Sequence, residues 1–151
     1  MAVVGQLRTI VLGAAFAAVV FSTVSAAAKE CYAPDPRSQE RAFSRAVVTE
    51  GGKTVWLGGQ TGSPDQNFEG QVRQIFSELE KSIKAVGGKG LQDMVTMTVF
   101  ITDVRNGDRL TQIRKEVFKE CFPASALITV TGLARPGLLI EIQGMAVVGG
   151  K

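Results

Sequence analysis

Glu141 stands where a carboxylate is energetically unfavourable. It lies within Leu138-Leu139-Ile140-Glu141-Ile142, an apolar run with the pattern of a buried strand. Burying a carboxylate costs roughly several kcal/mol unless the group is paired or protonated. Two interpretations stay open. The carboxylate is either a structural partner of Arg or Lys at a sheet edge or subunit interface, or a functional group that holds a water or a substrate proton in a dry cleft.

A glycine-rich segment, Gly58-Gly59-Gln60-Thr61-Gly62, is the second candidate for chemistry. Glycine lets a backbone approach a ligand closely, and exposed backbone N–H groups can hold an anion. The segment lacks the spacing of a phosphate-binding loop and the Lys-Ser/Thr ending of that motif. A ligand loop and an ordinary turn are therefore both compatible with it.

The sequence contains no histidine and two cysteines, Cys31 and Cys121. The lack of histidine excludes Ser-His-Asp and Cys-His nucleophiles, and two cysteines cannot form a cysteine-only zinc site. Ser125 therefore has no histidine to deprotonate it. The two cysteines either form a disulfide or remain free thiols, because geometry decides between these states.

Two amphipathic helices are predicted to lie behind these candidates. Apolar residues recur at three- and four-residue steps between residues 68 and 86, and Asp65 or Asn67 can cap the start of that helix. A second helix is predicted to begin at Asn106 or Asp108 and to end at Phe122-Pro123. Both apolar stripes are interpreted as core surface.

Five strands complete the predicted order β-β-α-β-α-β-β. The first two are expected to form a hairpin around Gly51-Gly52. This order predicts an α+β fold with one mixed sheet and two helices on one of its faces. The predicted strands cover residues 44–48, 54–57, 93–103, 126–131 and 138–148.

Residues 1–28 have the pattern of a signal peptide. Their one charge is Arg8, and an uncharged apolar run and small residues at the cleavage spacing follow it. Export is therefore expected, to a bacterial periplasm, with a retained N-terminal anchor as the alternative. Residues 29–42 contain Pro34 and Pro36 and are predicted to be extended, ahead of a folded domain at 43–151. Without Arg8 the chain has 16 basic and 14 acidic side chains, too even a balance to predict a nucleic-acid partner.

Several segments in the same order resemble the Rid family, also called the YjgF or RidA family. The resemblance spans about residues 43–148. It implies a chorismate-mutase-like α+β domain that assembles as a homotrimer with small-molecule clefts between neighbouring subunits. Such proteins hydrolyse reactive enamines and imines, and they release ammonia without a metal or cofactor. The segments that carry the resemblance are Phe43-Ser44-Arg45-Ala46-Val47, Leu57-Gly58-Gly59-Gln60-Thr61-Gly62, Asp93-Met94-Val95-Thr96-Met97-Thr98-Val99-Phe100, Phe122-Pro123-Ala124-Ser125 and Ile140-Glu141-Ile142-Gln143-Gly144-Met145.

Three positions match the site that the resemblance implies. Glu141 falls where the family glutamate positions the attacking water. Gly59 and Gln60 fall in the glycine loop, whose backbone groups help to complete the cleft. These residues are the predicted catalytic group and part of the predicted substrate-binding set.

Two positions depart from the family pattern. Ser125 stands where an arginine holds the substrate carboxylate, and Phe43 stands where a tyrosine is usual. Leu127 is expected to face the same side of its strand as Ser125. These changes predict a more apolar cleft that is less suited to small 2-imino acids. Arg114 is interpreted as a solvated charge on the second helix rather than as a replacement arginine.

The resemblance implies an enamine or imine deaminase with altered substrate choice. The alternative is a non-catalytic trimer that binds a small molecule. In either case no membrane association is expected after signal cleavage, and the sequence does not name the substrate.

Overall fold

The computed structural model describes residues 29–149, so the predicted signal peptide at 1–28 lies outside the described residues. Two 3-10 turns, Leu91–Asp93 and Val104–Asn106, interrupt the connections between the main elements. The helices and strands are β1 (Glu30–Tyr32), α1 (Pro36–Glu40), β2 (Ala46–Val48), β3 (Lys53–Thr61), α2 (Phe68–Ala85), β4 (Met94–Ile101), α3 (Gly107–Phe118), β5 (Ala124–Thr129) and β6 (Ile140–Val148).

A four-stranded mixed sheet forms the centre of the domain, in the order β3-β6-β4-β5. β6 runs antiparallel to both of its neighbours, whereas β4 and β5 are parallel. Parallel neighbours need a crossover connection, and α3 supplies it between β4 and β5. This confirms the predicted mixed α+β sheet and leaves β5 at one edge.

Both long helices cover the same face of that sheet. Ile75 and Leu79 of α2 and Ile113 of α3 are fully buried in one core with Ile140 and Ile142 of β6. Residues alternate between the two faces of a strand, so the odd-numbered positions of β6 point away from the helices. The helix-free face is called the outer face below.

The predicted hairpin between the first two strands is wrong. β2 pairs with β1 in an antiparallel ladder that places Val47 opposite Cys31, and β3 pairs with β6 instead. Gly51 and Gly52 do turn the chain, with φ of 62° and 84°. They redirect it from a small two-stranded sheet into the edge of the larger one.

Residues 29–42 were expected to be extended, but they contain β1 and α1. Asp35 caps α1 by accepting a hydrogen bond from the Ser38 backbone N–H at 2.9 Å, and Pro36 occupies the first turn. Proline is favoured there because its fixed φ suits a helix and the missing N–H has no partner to lose. Asp35 also pairs with Arg45 at 2.8 Å, which ties α1 to the start of β2.

A disulfide between Cys31 and Cys121 anchors β1 to the segment that follows α3. The two Cα atoms lie 5.6 Å apart and the cysteines are separated by 90 residues of sequence. A cross-link that closes so long a loop restricts the unfolded chain strongly, by about 4–5 kcal/mol in the chain-entropy picture. The structure thus selects the disulfide from the two states that the sequence left open.

The helix boundaries follow local signals. Asn67 caps α2 by accepting from the Gly70 N–H at 2.9 Å, which confirms one of the two predicted caps. α3 ends at Phe118, earlier than predicted, because Lys119 adopts a positive φ of 63°. Within residues 29–149, no helix is long and apolar enough to cross a membrane.

Candidate functional site

A pocket of about 330 Å³ lies beside the edge strand β5, on the side that faces the helices. Ser125 and Leu127 stand opposite the buried residues Met97 and Val99 of β4, so both point toward this side, as expected for Leu127. Phe43 reaches the pocket because its neighbour Ser44 bridges to Ala124 at the start of β5. The lining residues are Arg37, Arg41, Phe43, Thr111, Arg114, Ser125 and Leu127.

Arg114 is the central residue of this pocket. It is 4% exposed, and its Nη2 donates a hydrogen bond to the Ser125 hydroxyl at 2.5 Å. Its Nε has no hydrogen-bond partner, and no carboxylate in residues 29–149 pairs with the guanidinium. A buried cation without an anion is costly, so the arrangement favours an anionic ligand.

The charge of Arg114 persists at neutral pH. Burial, and after it the like charge of Arg41, lower the pKa of Arg114 to about 10. The guanidinium therefore stays protonated in this environment, and it keeps donors free for a ligand. A planar guanidinium suits a carboxylate because two parallel N–H groups can bind its two oxygens.

The interpretation of Arg114 as a solvated surface charge is wrong. Thr111 and Arg114 lie one turn apart on the side of α3 that faces β5, and both are buried. The signal was present in the sequence, since Arg114 follows Leu110 by four residues and precedes Val117 by three, inside the apolar stripe. A long side chain in such a stripe usually extends to water, whereas this one ends on Ser125.

The expectation of a more apolar cleft is wrong for the same reason. Ser125 is too short to replace an arginine, but it accepts a hydrogen bond from one. The positive charge at this place comes from α3 instead of β5. Arg37 and Arg41 add two more cationic groups to the lining.

Glu141 lies in a second cluster, with Gly59. Glu141 stands opposite Thr61 of β3 and Phe100 of β4, and it is half-buried. The register between β3 and β6 shifts between Leu57 and Gln60, and this irregularity brings the Gly59 backbone against the glutamate. A Cβ on Gly59 would overlap the Glu141 carboxylate oxygen Oε1, so a larger residue there would push the Glu141 side chain out of its position.

Gln60 is not part of either cluster. It stands opposite the core residue Ile142, and its Nε2 donates to the Gly58 carbonyl at 3.4 Å. No group of three His, Cys, Asp or Glu side chains in the described part of the chain could hold a metal ion. The two clusters present guanidinium, hydroxyl, carboxylate and backbone groups.

Comparison with known proteins identifies the family. The family model described as Endoribonuclease L-PSP matches residues 33–148. The chain belongs to the Ribonuc_L-PSP family, the family of the Rid and YjgF proteins. Its sheet and helices thus form a Rid domain, as the resemblance implied.

Relatives of this Rid domain include named imine deaminases. The human 2-iminobutanoate/2-iminopropanoate deaminase is 27% identical over 113 residues, which cover 71% of this chain and 80% of the human protein. The protein of the same name from Dermatophagoides farinae is 29% identical over 113 residues, 70% of this chain and 85% of that one. These identities support the general Rid function without naming a substrate.

Solved Rid structures share the fold. A Rid-family protein of unknown function from Yersinia pestis superposes with a TM-score of 0.71 at 23% identity, over 80% of this chain and 98% of that one. A YjgF-family protein from Mycobacterium tuberculosis gives a TM-score of 0.60 at 26% identity, over 80% of this chain and 100% of that one.

The two clusters of the Rid domain lie on opposite faces of its sheet. Ser125 and Arg114 are on the helix side of β5, whereas Glu141 and Gly59 are on the outer face. The sheet therefore separates the guanidinium from the carboxylate within one chain. The predicted residues Phe43, Ser125 and Leu127 come together, Gly59 and Glu141 come together, and the roles of all five stay predictions.

Proposed function

We propose that this protein hydrolyses carboxylate-bearing imines or enamines and releases ammonia. The observation that carries the proposal is the buried guanidinium of Arg114, which has no anionic partner in the described structure and is held by Ser125. It supplies, from a different element, the charge that the family resemblance expects at Ser125. The imine-deaminase names of relatives support the reaction class.

Each residue has a distinct role in this proposal. Arg114 binds the substrate carboxylate, and Ser125 fixes the guanidinium. Glu141 orients a water whose oxygen bonds to the imine carbon while the nitrogen gains the protons. The carbon–nitrogen bond then breaks, ammonia leaves and a 2-keto acid remains. Gly59 leaves room for the Glu141 carboxylate and brings its backbone close to the reacting groups.

A second copy of the chain completes the proposed site. Arg114 and Glu141 of one chain cannot reach the same small ligand, because the sheet lies between them. The outer face also carries apolar surface, including Trp56 at 79% and Ile128 at 42% exposure. Large apolar side chains exposed at both edges of one sheet face are stabilised when an interface buries them. We therefore adopt the homotrimer that the resemblance implies, with clefts between neighbours.

The test is ammonia release from freshly generated imines by the mature, disulfide-intact protein. Wild type should hydrolyse 2-iminopropanoate faster than an uncharged imine of similar size. Arg114→Met should raise KM at least about tenfold, the cost of a lost hydrogen bond to a charged group. Glu141→Gln should lower kcat by about a hundredfold or more, within the usual range for a proton-transfer group.

Arg105→Met is the matched control, because Arg105 is an exposed arginine paired with Asp103 and lies outside the pocket. It should leave both kinetic constants unchanged. Failure of wild type to hydrolyse any charged or uncharged imine would contradict the proposed reaction.

A non-catalytic binding protein is the second candidate function. The same separation of Arg114 from Glu141 favours it, since one chain alone can hold an anion without a water-activating group nearby. Saturable binding of pyruvate that Arg114→Met abolishes, together with no turnover of any imine, would select this candidate.

We also propose that the protein acts after export, in the periplasm of a bacterium. The Cys31–Cys121 disulfide supports this, because disulfides persist in oxidising compartments. Fractionation of producing cells, with mass determination of the N-terminus, tests the location and the cleavage.

A further inference from the structure

The pocket carries more positive charge than one carboxylate can neutralise. Three arginines line it: Arg37, Arg41 and Arg114. Among residues 29–149, the carboxylate that pairs with any of them is Asp108, whose Oδ1 lies 2.6 Å from Arg41 Nη1. The Asp108 side chain is 83% exposed, so water weakens this pair. Two positive charges therefore remain in excess.

The arginines belong to two separate elements. Arg114 projects from α3, whereas Arg37 lies in α1 and Arg41 is the residue that ends that helix. Arg41 Nη2 also lies 3.6 Å from the point where a Cβ on Gly107 would stand, and Leu127 Cδ2 lies at the same distance from that point. The guanidinium of Arg41 is thus placed over the first turn of α3, beside the β5 wall of the pocket.

The α1 wall is fixed in place rather than loosely apposed. Just after α1, the Ser44 N–H donates to the Pro123 carbonyl at 3.2 Å, and the Ser44 hydroxyl donates to the Phe122 carbonyl at 2.5 Å. The disulfide from Cys31 holds the preceding strand against the chain after α3. Ordering two arginines around a third costs free energy through like-charge repulsion, and a ligand with two anionic groups removes that cost.

We propose that this pocket recognises a dianion, with one carboxylate on Arg114 and the other on Arg41 and Arg37. The corresponding substrates are imines derived from dicarboxylic amino acids. The charge recognition stands on the arginines alone, and the imine part rests on the function proposed above. Three arginines thus favour dicarboxylate substrates over monocarboxylate substrates, whereas Arg114 alone would not distinguish them.

The experiment measures binding by calorimetry with unreactive probes on the disulfide-intact mature protein at low salt. Succinate, butyrate and inorganic phosphate are compared, because the first two have the same carbon number and different charge. Succinate should bind about tenfold or more tightly than butyrate, as expected for an added hydrogen-bonded charge pair. Phosphate should bind more weakly than succinate, because it cannot span two separate cationic groups.

Variants locate the second charge. Arg37→Met/Arg41→Met should reduce succinate affinity to near that of butyrate and leave butyrate affinity within about twofold, since Arg114 is intact. Arg114→Met should weaken both ligands, and Arg105→Met should change neither.

Equal affinity of wild type for succinate and butyrate would overturn the inference, as would unchanged succinate binding in the double variant. Phosphate binding tighter than succinate would overturn the dicarboxylate class. The two proposals fail separately. A charge preference without ammonia release from any imine contradicts only the reaction, and ammonia release without a charge preference contradicts only the dianion.

Discussion

Because Gly59 has no Cβ, the carboxylate of Glu141 has room to lie against the backbone of β3. A Cβ there would overlap Glu141 Oε1, whereas a Cβ on Gly58 would meet nothing within 4 Å. The two neighbouring glycines therefore differ in what they permit. Gly59 leaves space for Glu141, whereas an alanine side chain at Gly58 would contact no other residue.

We expect Gly59→Ala to push the Glu141 carboxylate aside and to lower ammonia release by about tenfold or more, with little change in the free energy of unfolding, because the colliding atoms belong to a side chain that can move. Gly58→Ala serves as the matched control and should keep its activity. Kinetics and urea unfolding of both variants provide the measurement. Equal activity of the two would show that the contact with Glu141 is not needed.

Asp108 competes with any ligand for Arg41. Replacing it by Asn removes that competition, so succinate affinity should rise about two- to fivefold, the range of an exposed ion pair. Glu116→Gln removes the same charge from the same helix, but Glu116 pairs with Arg73 outside the pocket. Calorimetry should therefore show a gain for the first variant and none for the second. A weaker affinity in Asp108→Asn would contradict the role given to Arg41.

At the scale of elements, the disulfide links the integrity of α1 to the shape of the pocket. Cys31→Ser should lower the free energy of unfolding by about 4 kcal/mol, and it should weaken succinate binding because the Arg37–Arg41 wall loses its anchor. Urea unfolding with and without reductant tests this. Reductant should affect wild type and leave the variant unchanged, and a stable reduced wild type would contradict the prediction.

Local signals predicted the long elements well. The helical stripe around Ile75 and the cap at Asn67 depend on residues a few positions apart, and α2 follows them. Glu141 was found because its apolar neighbours Ile140 and Ile142 make a carboxylate conspicuous. Its side of the sheet follows from the same alternation.

Contacts between distant segments were not predictable in this way. The partner of β2 is β1. Because Pro34 and Pro36 follow β1 closely, the sequence did not predict a paired strand there. The apolar stripe of α3 indicates that Arg114 is buried, but no periodicity reveals that its guanidinium meets the Ser125 hydroxyl across the gap between α3 and β5. The pocket charge was therefore missed while the fold was correct.

At the scale of the whole molecule, the outer face should decide both assembly and activity. Ile128→Lys places a charge on the apolar outer face of β5, where we expect it to prevent assembly of the proposed trimer. The separated subunits should still bind succinate through the arginine pocket but should release no ammonia. Val104→Lys is the control, because Val104 is 70% exposed in a 3-10 turn away from the strands.

Analytical ultracentrifugation and the ammonia assay together check this expectation. A monomeric Ile128→Lys protein with full activity would contradict the shared site. A Val104→Lys protein that also dissociates would show that added charge, rather than the outer face, is responsible.

The placement of Arg114 and Glu141 on opposite faces has a genetic consequence. If each cleft takes its arginine from one copy and its glutamate from another, a subunit that carries Arg114→Met and a subunit that carries Glu141→Gln can together form an intact cleft. In randomly mixed trimers of Arg114→Met and Glu141→Gln, about a quarter of the clefts would receive both intact groups. Cells that express both inactive alleles should therefore regain ammonia release that neither allele supports alone, and complete silence of the mixture would contradict the shared cleft.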